Sequence, residues 1–554
     1  MIQFKSIDGL LLRDMVVAGT ALLEKNREIV DALNVFPVPD GDTGTNMTLT
    51  MQSAAREINA KEYLRADEAA AALAKGALKG ARGNSGVITS QLFRGFSKAL
   101  SGIERITPVQ FANALKNGAE MAYKAVMKPK EGTILTVARV IAQDAVAQVQ
   151  KDPDDYDALM AVILKSGEAI LKKTTDMLPA LKQAGVVDSG GRGLLYIYQG
   201  YAAVLRGEDI DLLSNGDDEE CKLVDDGHDL TRDLTHTYCV SFTLTRFKDD
   251  CDEHDIDSFR RRLNRVGDYV QVTGDLVKTS VHVHTDNPGS IIEYGTELAE
   301  IDDVKIDNLA AKKRALEGVQ DSPDDKVSAG NDEIPLKQCG MVTVSLGDGF
   351  SEIFKDLGVD MIVEGGQTMN PSVDDILQAI RKVNAETVYV LPNNGNVIFA
   401  ANQAAELYEQ NAVVIPTKNV AMGIAAAVAL QPDSDSEENR QRMEEASQHV
   451  RTATVTYAIR DSEYNGVNIH EGDIIGLYNG QIEYSGNDVH DVVIDMLEHI
   501  VNEEDELITV YYGADIEEKN AVALADELSE RFDNCDIEYH RGGQPLYYYL
   551  ISVE

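Results

Sequence analysis

The sequence predicts a multidomain protein with an all-α N-terminal domain, an α+β middle domain and an α/β C-terminal domain. Residues 1–205 are rich in alanine, and their apolar residues recur at helical spacing. From residue 234 apolar and polar residues alternate as they do in half-buried strands, and from residue 338 short strands alternate with helices. The acidic or polar segments 206–233 and 317–337 are predicted linkers between domains 1–205, 234–316 and 338–554.

Helices are predicted throughout the first domain because apolar side chains repeat every three or four residues. Phe111 and Leu115 form one such pair, and Ile134, Val137 and Ile141 form a longer stripe. Glycines cluster between these segments and not inside them. This arrangement is typical of a helical bundle with functional loops at one end.

The middle domain is predicted to begin with a strand over Tyr238–Thr245, followed by a helix over Ile256–Val266. Tyr269–His284 then indicates two strands around a turn at Gly274-Asp275. The C-terminal domain is predicted to hold a parallel sheet with helices on its faces. Its strands are expected at Met341–Val344, Met361–Val363, Thr387–Leu391 and Ala412–Ile415, its helices include Val373–Val383 and Val397–Tyr408, and a β-rich region from Thr452 follows the acidic stretch Asp433–Glu445.

Composition excludes several classes of protein. The 554 residues carry a formal net charge of -42, which repels nucleic acids and anionic membrane surfaces, although the acidity is also compatible with a solubility trait of the host. No apolar run approaches the roughly 18 residues of a membrane span, and the N terminus lacks the features of a signal peptide. The five cysteines are widely spread, which is poor material for disulfides. A cytoplasmic protein is expected.

The strongest local motif is Asn34-Val-Phe-Pro-Val-Pro-Asp-Gly-Asp-Thr-Gly-Thr-Asn46. Asp40 and Asp42 lie two apart in a proline-stiffened loop, and hard oxygen ligands in this arrangement suit Mg²⁺ bound together with phosphates. Gly41 and Gly44 allow close backbone approach, and the helix expected to begin at Thr45 offers amides that favour phosphate. The alternative interpretation is an acidic turn followed by an ordinary helix cap.

Three further glycine-rich loops precede helices. They are Gly80–Gly86, Lys130–Thr133 and Asp188–Gly193, and the first of them places Ser85 among amides that can form an anion nest. Taken singly, each is explained as well by a helix cap or a packing glycine. Four such loops in one helical domain favour a phosphate site, although the Gly-x-x-x-x-Gly-Lys-Ser/Thr motif is absent.

These motifs resemble a known family of kinases. Residues 1–205 are similar to the nucleotide-binding L subunit of dihydroxyacetone kinase, which is a barrel of antiparallel helices. The longer run Asn34–Met47 resembles more closely the A subunit of bacterial fatty acid kinase, whose three-part layout covers the whole chain. The resemblance implies an antiparallel helical barrel for the first domain and a kinase that uses ATP and Mg²⁺.

The resemblance also assigns roles by position. Asp40 and Asp42 match metal-binding, catalytic aspartates. The dihydroxyacetone kinase pattern has a third aspartate upstream, whereas this chain has Asn34 as its nearest counterpart, which we expect to supply a neutral oxygen ligand to Mg²⁺. The positions expected to contact the nucleotide are Thr43, Gly44, Thr45, Asn46, Asn84, Ser85, Gly86, Gly132, Thr133 and Arg192.

A second metal site is predicted in the middle domain. His282 and His284 lie two apart in a strand and so share a face, and Cys239 lies on the polar side of another strand. Two imidazoles and a thiolate suit Zn²⁺, with His236 or a water as the fourth ligand. The alternative is two surface histidines on a polar strand face. The family's middle domain carries a similar Cys and His-x-His site, which implies a structural or dimer-organising zinc.

The implied activity is transfer of the γ-phosphoryl group of ATP to the carboxylate of a fatty acid, giving an acyl phosphate for phospholipid synthesis. A separate fatty-acid-binding carrier protein would present the substrate and dock on the C-terminal domain, where polar loops follow the strands, and the chain is expected to form a homodimer. Those loops are equally explained as helix caps. The alternatives for function are a dihydroxyacetone-type (glycerone) kinase or phosphotransfer subunit, and a non-catalytic regulator that binds nucleotide or lipid.

Overall fold

A computed structural model of the chain describes residues 4–34, 41–208, 236–248, 251, 253–263, 265–274, 278–308, 336–366, 369–459, 461–464 and 467–554. Asp40 and most of the two predicted linkers lie outside these residues. Contacts divide the chain into two compact units. One comprises Met1–Ser214 with Ile334–Glu554, and the other comprises Asn215–Glu333.

The first part of the larger unit is entirely helical, as the sequence predicts. Neighbouring helices pack around a ring in which α3 to α8 follow in chain order, α10 packs on α8, and α1 lies between α10 and α3. The ring closes on itself, which confirms the helical barrel. The helices are α1 (Gly9–Lys25), α2 (Arg27–Ala32), α3 (Thr43–Asn59), α4 (Ala66–Lys79), α5 (Gly83–Ala99), α6 (Pro108–Ala125), α7 (Ile134–Lys151), α8 (Tyr156–Met177), α9 (Pro179–Ala184) and α10 (Ser189–Arg206).

Two glycines allow the barrel to close. A Cβ built on Gly200 of α10 would lie 2.5 Å from the Cα of Gly19 in α1, a separation that carbon atoms do not tolerate. The first and last long helices therefore touch backbone to backbone. The interior is filled by apolar residues from every long helix, and edge-to-face contacts join Phe111 to Phe96 and to Tyr156.

The middle unit is an antiparallel sheet with the strand order β2-β3-β1-β4. One face packs on its helices through Val240, Phe242 and Leu244 of β1, because alternate residues of a strand point to the same side. The first helix ends at Leu263, three residues before the predicted end. The elements are β1 (Tyr238–Thr245), α11 (Glu253–Leu263), β2 (Gly267–Gly274), β3 (Lys278–Thr285), α12 (Pro288–Thr296) and β4 (Glu300–Asn308).

The C-terminal part begins with the predicted parallel sheet, whose strand order is β6-β5-β7-β8. Helices cover both faces, so the carboxyl ends of all four strands meet at one edge. The elements are β5 (Lys337–Ser345), α13 (Asp348–Asp356), β6 (Met361–Glu364), α14 (Val373–Lys382), β7 (Ala385–Leu391), α15 (Ile398–Leu407), β8 (Asn411–Val414), α16 (Val420–Val428) and α17 (Ser436–His449).

A second, mixed sheet completes the C-terminal part, with the order β13-β12-β9-β16-β14-β15. Only β14 and β15 pair in parallel within it, and two helices pack on its apolar face. Its strands are β9 (Arg451–Tyr457), β12 (Ile474–Tyr478), β13 (Gln481–Gly486), β14 (Leu507–Tyr512), β15 (Asp536–Arg541) and β16 (Tyr547–Val553). Its helices are α18 (Val489–Ile500) and α19 (Glu518–Arg531), and β10 (Ser462–Tyr464) with β11 (Val467–Ile469) forms a separate hairpin.

The helical barrel and the parallel sheet share one hydrophobic cluster. Ala81 and Val87, which flank the start of α5, are fully buried and pack with residues of the C-terminal part such as Val373 and Ala400. The amide of Val373 also donates to the carbonyl of Ala81 at 3.0 Å. This junction brings the carboxyl edge of the sheet onto the glycine-rich loop before α5. Within the described part of the chain, no helix is both long and apolar enough to cross a bilayer.

Candidate functional site

The N terminus of α3 carries the first group of predicted site residues. The helix begins at Thr43, two residues earlier than predicted, and Asp42 occupies the N-cap position. The Oδ1 of Asp31 accepts from the amides of Gly44 at 2.6 Å and Thr45 at 3.1 Å, and its Oδ2 accepts from the Thr45 hydroxyl at 2.8 Å. Asp31, which sequence reasoning missed, therefore anchors this helix end.

A small polar cavity opens beside this helix end. Its volume is about 170 Å³, below the roughly 300–1,000 Å³ of sites that enclose a whole small molecule. A volume of this size matches a metal ion and phosphate groups better than a complete nucleotide. The lining residues within the described ranges are Asn34, Asp42, Thr43, Asn46, Asn84, Ser85 and Asn396. Asp40, the other predicted magnesium ligand, belongs to the undescribed segment 35–40.

The loop before α5 forms the second wall of the cavity. Gly83 has φ +56°, a left-handed conformation, and a Cβ there would lie 2.5 Å from the Asn46 side chain. Glycine therefore lets α5 start directly against α3. The Ser85 hydroxyl lies 3.5 Å from the carbonyl of Thr43, which ties the two helix starts together. Two helix N termini thus meet at the cavity, and their dipoles favour an anion there.

The C-terminal part supplies a third wall that the sequence did not predict. Asn396, in the loop after β7, accepts a hydrogen bond at 3.0 Å from the amide of Asn84 and lines the cavity. The polar run Asn393–Asn396 after a buried strand was the available signal, since such loops lie at the edge where ligands bind in open sheets. Which loop of the helical domain it would meet required the three-dimensional arrangement.

Several predicted contacts lie apart from the cavity. Gly44 and Thr45 face α2, and their amides are bonded to Asp31, which differs from the expectation that helix amides here face phosphate. Gly86 packs on α3, where a Cβ would lie 2.3 Å from the Thr50 hydroxyl oxygen. Its glycine is explained by this close helix contact.

The other two glycine loops lie at the same end of the barrel but do not line the cavity. Thr133 caps α7, and the Thr133 hydroxyl donates to the carbonyl of Lys130 at 2.9 Å. Gly132 has φ +88° and packs against the end of α8. Arg192 in α10 forms an ion pair with Glu168 at 2.8 Å. The predicted contacts of Gly132, Thr133 and Arg192 with nucleotide remain predictions.

One carboxylate links the starts of α7 and α10. Asp188 accepts from the amide of Gly191 at 2.7 Å and from the amide of Ile134. Loss of solvation raises the pKa of Asp188 to about 6, although both amides act to lower it. This residue organises two helix ends, and sequence reasoning treated it only as part of a glycine loop.

The middle unit brings the three predicted zinc ligands together. Cys239 lies opposite His284 and Ser241 lies opposite His282 in the pairing of β1 with β3, so all three side chains share one face. The Sγ of Cys239 is 3.8 Å from His282, and ligand atoms of the three residues lie within 4.8 Å of one another. A tetrahedral Zn²⁺ with Zn–S of about 2.3 Å and Zn–N of about 2.0–2.1 Å separates S from N by about 3.6 Å. The donor set and its spacing fit zinc.

The predicted fourth ligand lies in a different contact. His236 pairs through its Nδ1 with the Oδ2 of Asp286 at 2.9 Å, and this hydrogen bond lowers the pKa of Asp286 to about 2. Asp268 was not predicted, yet its carboxylate lies 3.8 Å from the Nδ1 of His284 and 3.9 Å from the Nε2 of His236. A carboxylate beside a ligating imidazole is the partner that commonly orients such rings.

Family models match three consecutive parts of the chain. The DAK2 domain matches residues 37–203, the FakA-like middle domain of fatty acid kinase matches residues 235–316, and the FakA-like C-terminal domain matches residues 340–554. Protein YloV of Bacillus subtilis is 41% identical over 560 aligned residues, which cover 100% of both chains. An uncharacterized protein of Staphylococcus saprophyticus is 40% identical over 99% of both chains.

Solved structures share only parts of the fold. A DegV-family protein from Ruminococcus gnavus is 17% identical, with a TM-score of 0.31, and covers 39% of this chain and 100% of its own. DegV of Bacillus subtilis, described as a fatty acid binding protein, is 14% identical with a TM-score of 0.30 over 39% of this chain and 99% of its own. The dihydroxyacetone kinase of C. freundii is 21% identical with a TM-score of 0.26 over 36% of each chain.

Proposed function

The chain belongs to the FakA-like family of fatty acid kinase subunits, and from that premise we propose that it transfers the γ-phosphoryl group of ATP to a fatty acid carboxylate. The observation that carries the proposal is the polar cavity where the N termini of α3 and α5 meet beside Asp42. Helix N termini favour phosphate, and a carboxylate at the same place is suited to a magnesium ion that accompanies it.

The residues of the cavity fit magnesium and phosphate by their chemistry. Asp42 supplies a carboxylate and Asn34 a neutral amide oxygen, the hard ligands that Mg²⁺ prefers. Asp40, two residues from Asp42, would join them. The described lining contains no lysine or arginine, so a bound cation is the natural means of neutralising phosphate charge. Bound Mg²⁺ would supply that neutralisation during transfer.

The remaining residues would position the reactants. Thr43, Asn46 and Ser85 offer hydroxyl and amide groups to the phosphate oxygens at the helix ends. The acceptor is a carboxylate, an anion at neutral pH, so the described residues are not required to remove a proton from it. One oxygen of the acceptor forms a bond to the γ-phosphorus as the bond to ADP breaks, giving an acyl phosphate and ADP.

The fatty acid is proposed to arrive on a separate carrier protein that docks on the C-terminal domain. The cavity is polar and too small for an acyl chain, and the family is described as one component of a kinase with several. The middle domain is proposed to hold one structural Zn²⁺ on Cys239, His282 and His284, in support of a homodimer. The spacing of these three side chains supports the zinc assignment.

The deciding experiment is an acyl phosphate assay with the purified chain, ATP, Mg²⁺ and a fatty-acid-loaded carrier protein. Trapping with hydroxylamine should give one hydroxamate for each ADP formed, and ADP formation should depend on the loaded carrier. Transfer to dihydroxyacetone in place of the fatty acid would support the alternative glycerone kinase. Nucleotide binding without any transfer would support a regulator.

A further inference from the structure

The loop between β6 and α14 contacts the loop before α5 through both backbone and side chains. The guanidinium of Arg82 donates to the carbonyl of Asn370 at 2.7 Å and pairs with Asp375 at 3.3 Å. Arg82 and Ser372 also form an isolated antiparallel bridge. These contacts fix the position of Asn370 relative to the N terminus of α3.

Asn370 is only 1% exposed, and its amide group reaches the candidate magnesium site. Its Nδ2 donates to the Oδ2 of Asp42 and lies 3.5 Å from the Oδ1 of Asn46. Both neighbours are acceptors, so the amino end of the side chain faces the helical domain. Burial of a polar side chain at a domain junction is costly unless its contacts compensate, and these contacts are made to two residues that line the cavity.

From this arrangement we propose that Asn370 is a positioning residue for phosphoryl transfer, and that the C-terminal domain completes the metal–nucleotide site through it. The hydrogen bond to one carboxylate oxygen fixes the orientation of Asp42 and leaves the other oxygen for the metal. Partners that orient a ligating carboxylate typically contribute a factor of about 10 to 100 in metal affinity. The inference rests on the proposed function, because it requires Asp42 to bind the metal.

The proposal has a reciprocal consequence. If docking of the loop around Asn370 strengthens metal–nucleotide binding, then metal and nucleotide must strengthen docking by the same factor. The junction between the helical and C-terminal domains would thus respond to whether nucleotide is bound. A purely structural contact at the same junction would not show this coupling.

A matched pair of variants separates the two roles. Asn370→Ala removes the amide that reaches Asp42. Gln403→Ala removes a buried side chain that accepts from Gln91 at 2.7 Å across the same junction but does not contact the cavity. Free Mn²⁺ is measured by electron paramagnetic resonance in titrations of the full-length protein with saturating ADP. Asn370→Ala should raise the Kd for Mn²⁺ about tenfold, and Gln403→Ala should leave it within twofold.

Equal weakening in both variants, or no weakening in Asn370→Ala, would overturn the inference while leaving the proposed function intact. Absence of ADP-dependent Mn²⁺ binding by the unsubstituted chain would overturn both. Hydrogen exchange of the unsubstituted protein provides a test that does not depend on variant folding. Mn²⁺ with ADP should slow exchange of the Val373 amide, which bonds to Ala81, and unchanged exchange would contradict the proposed coupling.

Discussion

Asp42 is the described residue on which the proposed chemistry depends most directly. Asp42→Ala should abolish phosphoryl transfer and leave the unfolding temperature within a few degrees, because the side chain lies at a cavity and not in a core. Asp176→Ala is a suitable control, since Asp176 is an exposed carboxylate that pairs with Lys182 on the surface. Turnover of carrier-bound fatty acid is the measurement. Near-normal turnover by Asp42→Ala would remove the basis for the magnesium assignment.

The zinc assignment also belongs to this scale. The purified protein, prepared without affinity metals, should contain one zinc per chain by elemental analysis. His282→Ala combined with His284→Ala should lose it, because a single thiolate does not retain Zn²⁺. The control is His449→Ala, which removes an exposed histidine bonded to its own helix. Zinc retained by the double variant would mean that other residues hold the metal.

Single residues also show how far sequence reasoning reached. Asn34, Thr43 and Asn84 were named from one motif and one glycine loop, and the structure brings them to a common cavity. Asn370 and Asn396 were missed because they lie 328 and 312 residues away from their partners, and only the packing of two domains makes them neighbours. Local patterns carry no information about contacts of that separation.

At the scale of helices, Asp188 makes stability depend on pH. Its folded-state pKa of about 6 lies above the ordinary value of 3.8, so its contribution to stability is greatest below about pH 4 and is lost as the pH rises through 6. Asp188→Asn cannot titrate. Its unfolding temperature should therefore rise relative to the unsubstituted protein between pH 4.5 and 7.5, by an amount equivalent to at most about 3 kcal/mol. A difference that is constant with pH would contradict this.

The acidic stretch Asp433–Glu445 shows why some elements escaped prediction. It was assigned no element because it is strongly charged, yet Ser436–His449 forms α17. Arg440 pairs with Glu437 and, at 2.9 Å, with Glu444, the spacings of three and four residues that meet on a helix surface. Met443 is fully buried beneath the helix. One apolar anchor was too weak a periodic signal to identify in the sequence.

At the scale of the whole molecule, the helical domain depends on its partner. A fragment of residues 1–207 should remain helical by circular dichroism. It should bind Mg²⁺ and ADP about tenfold more weakly than the full chain by calorimetry, because it lacks the contact to Asp42 from the C-terminal domain. It should also fail to phosphorylate carrier-bound fatty acid. Affinity equal to that of the full chain would show that the helical domain binds nucleotide independently.

The junction at Asn84 and Asn396 has a consequence for the order in which the protein is synthesised. These residues are 312 positions apart, and ribosomes add about 5 to 20 residues per second. The second wall of the cavity therefore leaves the ribosome about 15 to 60 s after the first. During that interval the nascent chain carries a helical barrel whose glycine loop is uncovered, so the kinase becomes competent only late in its own translation.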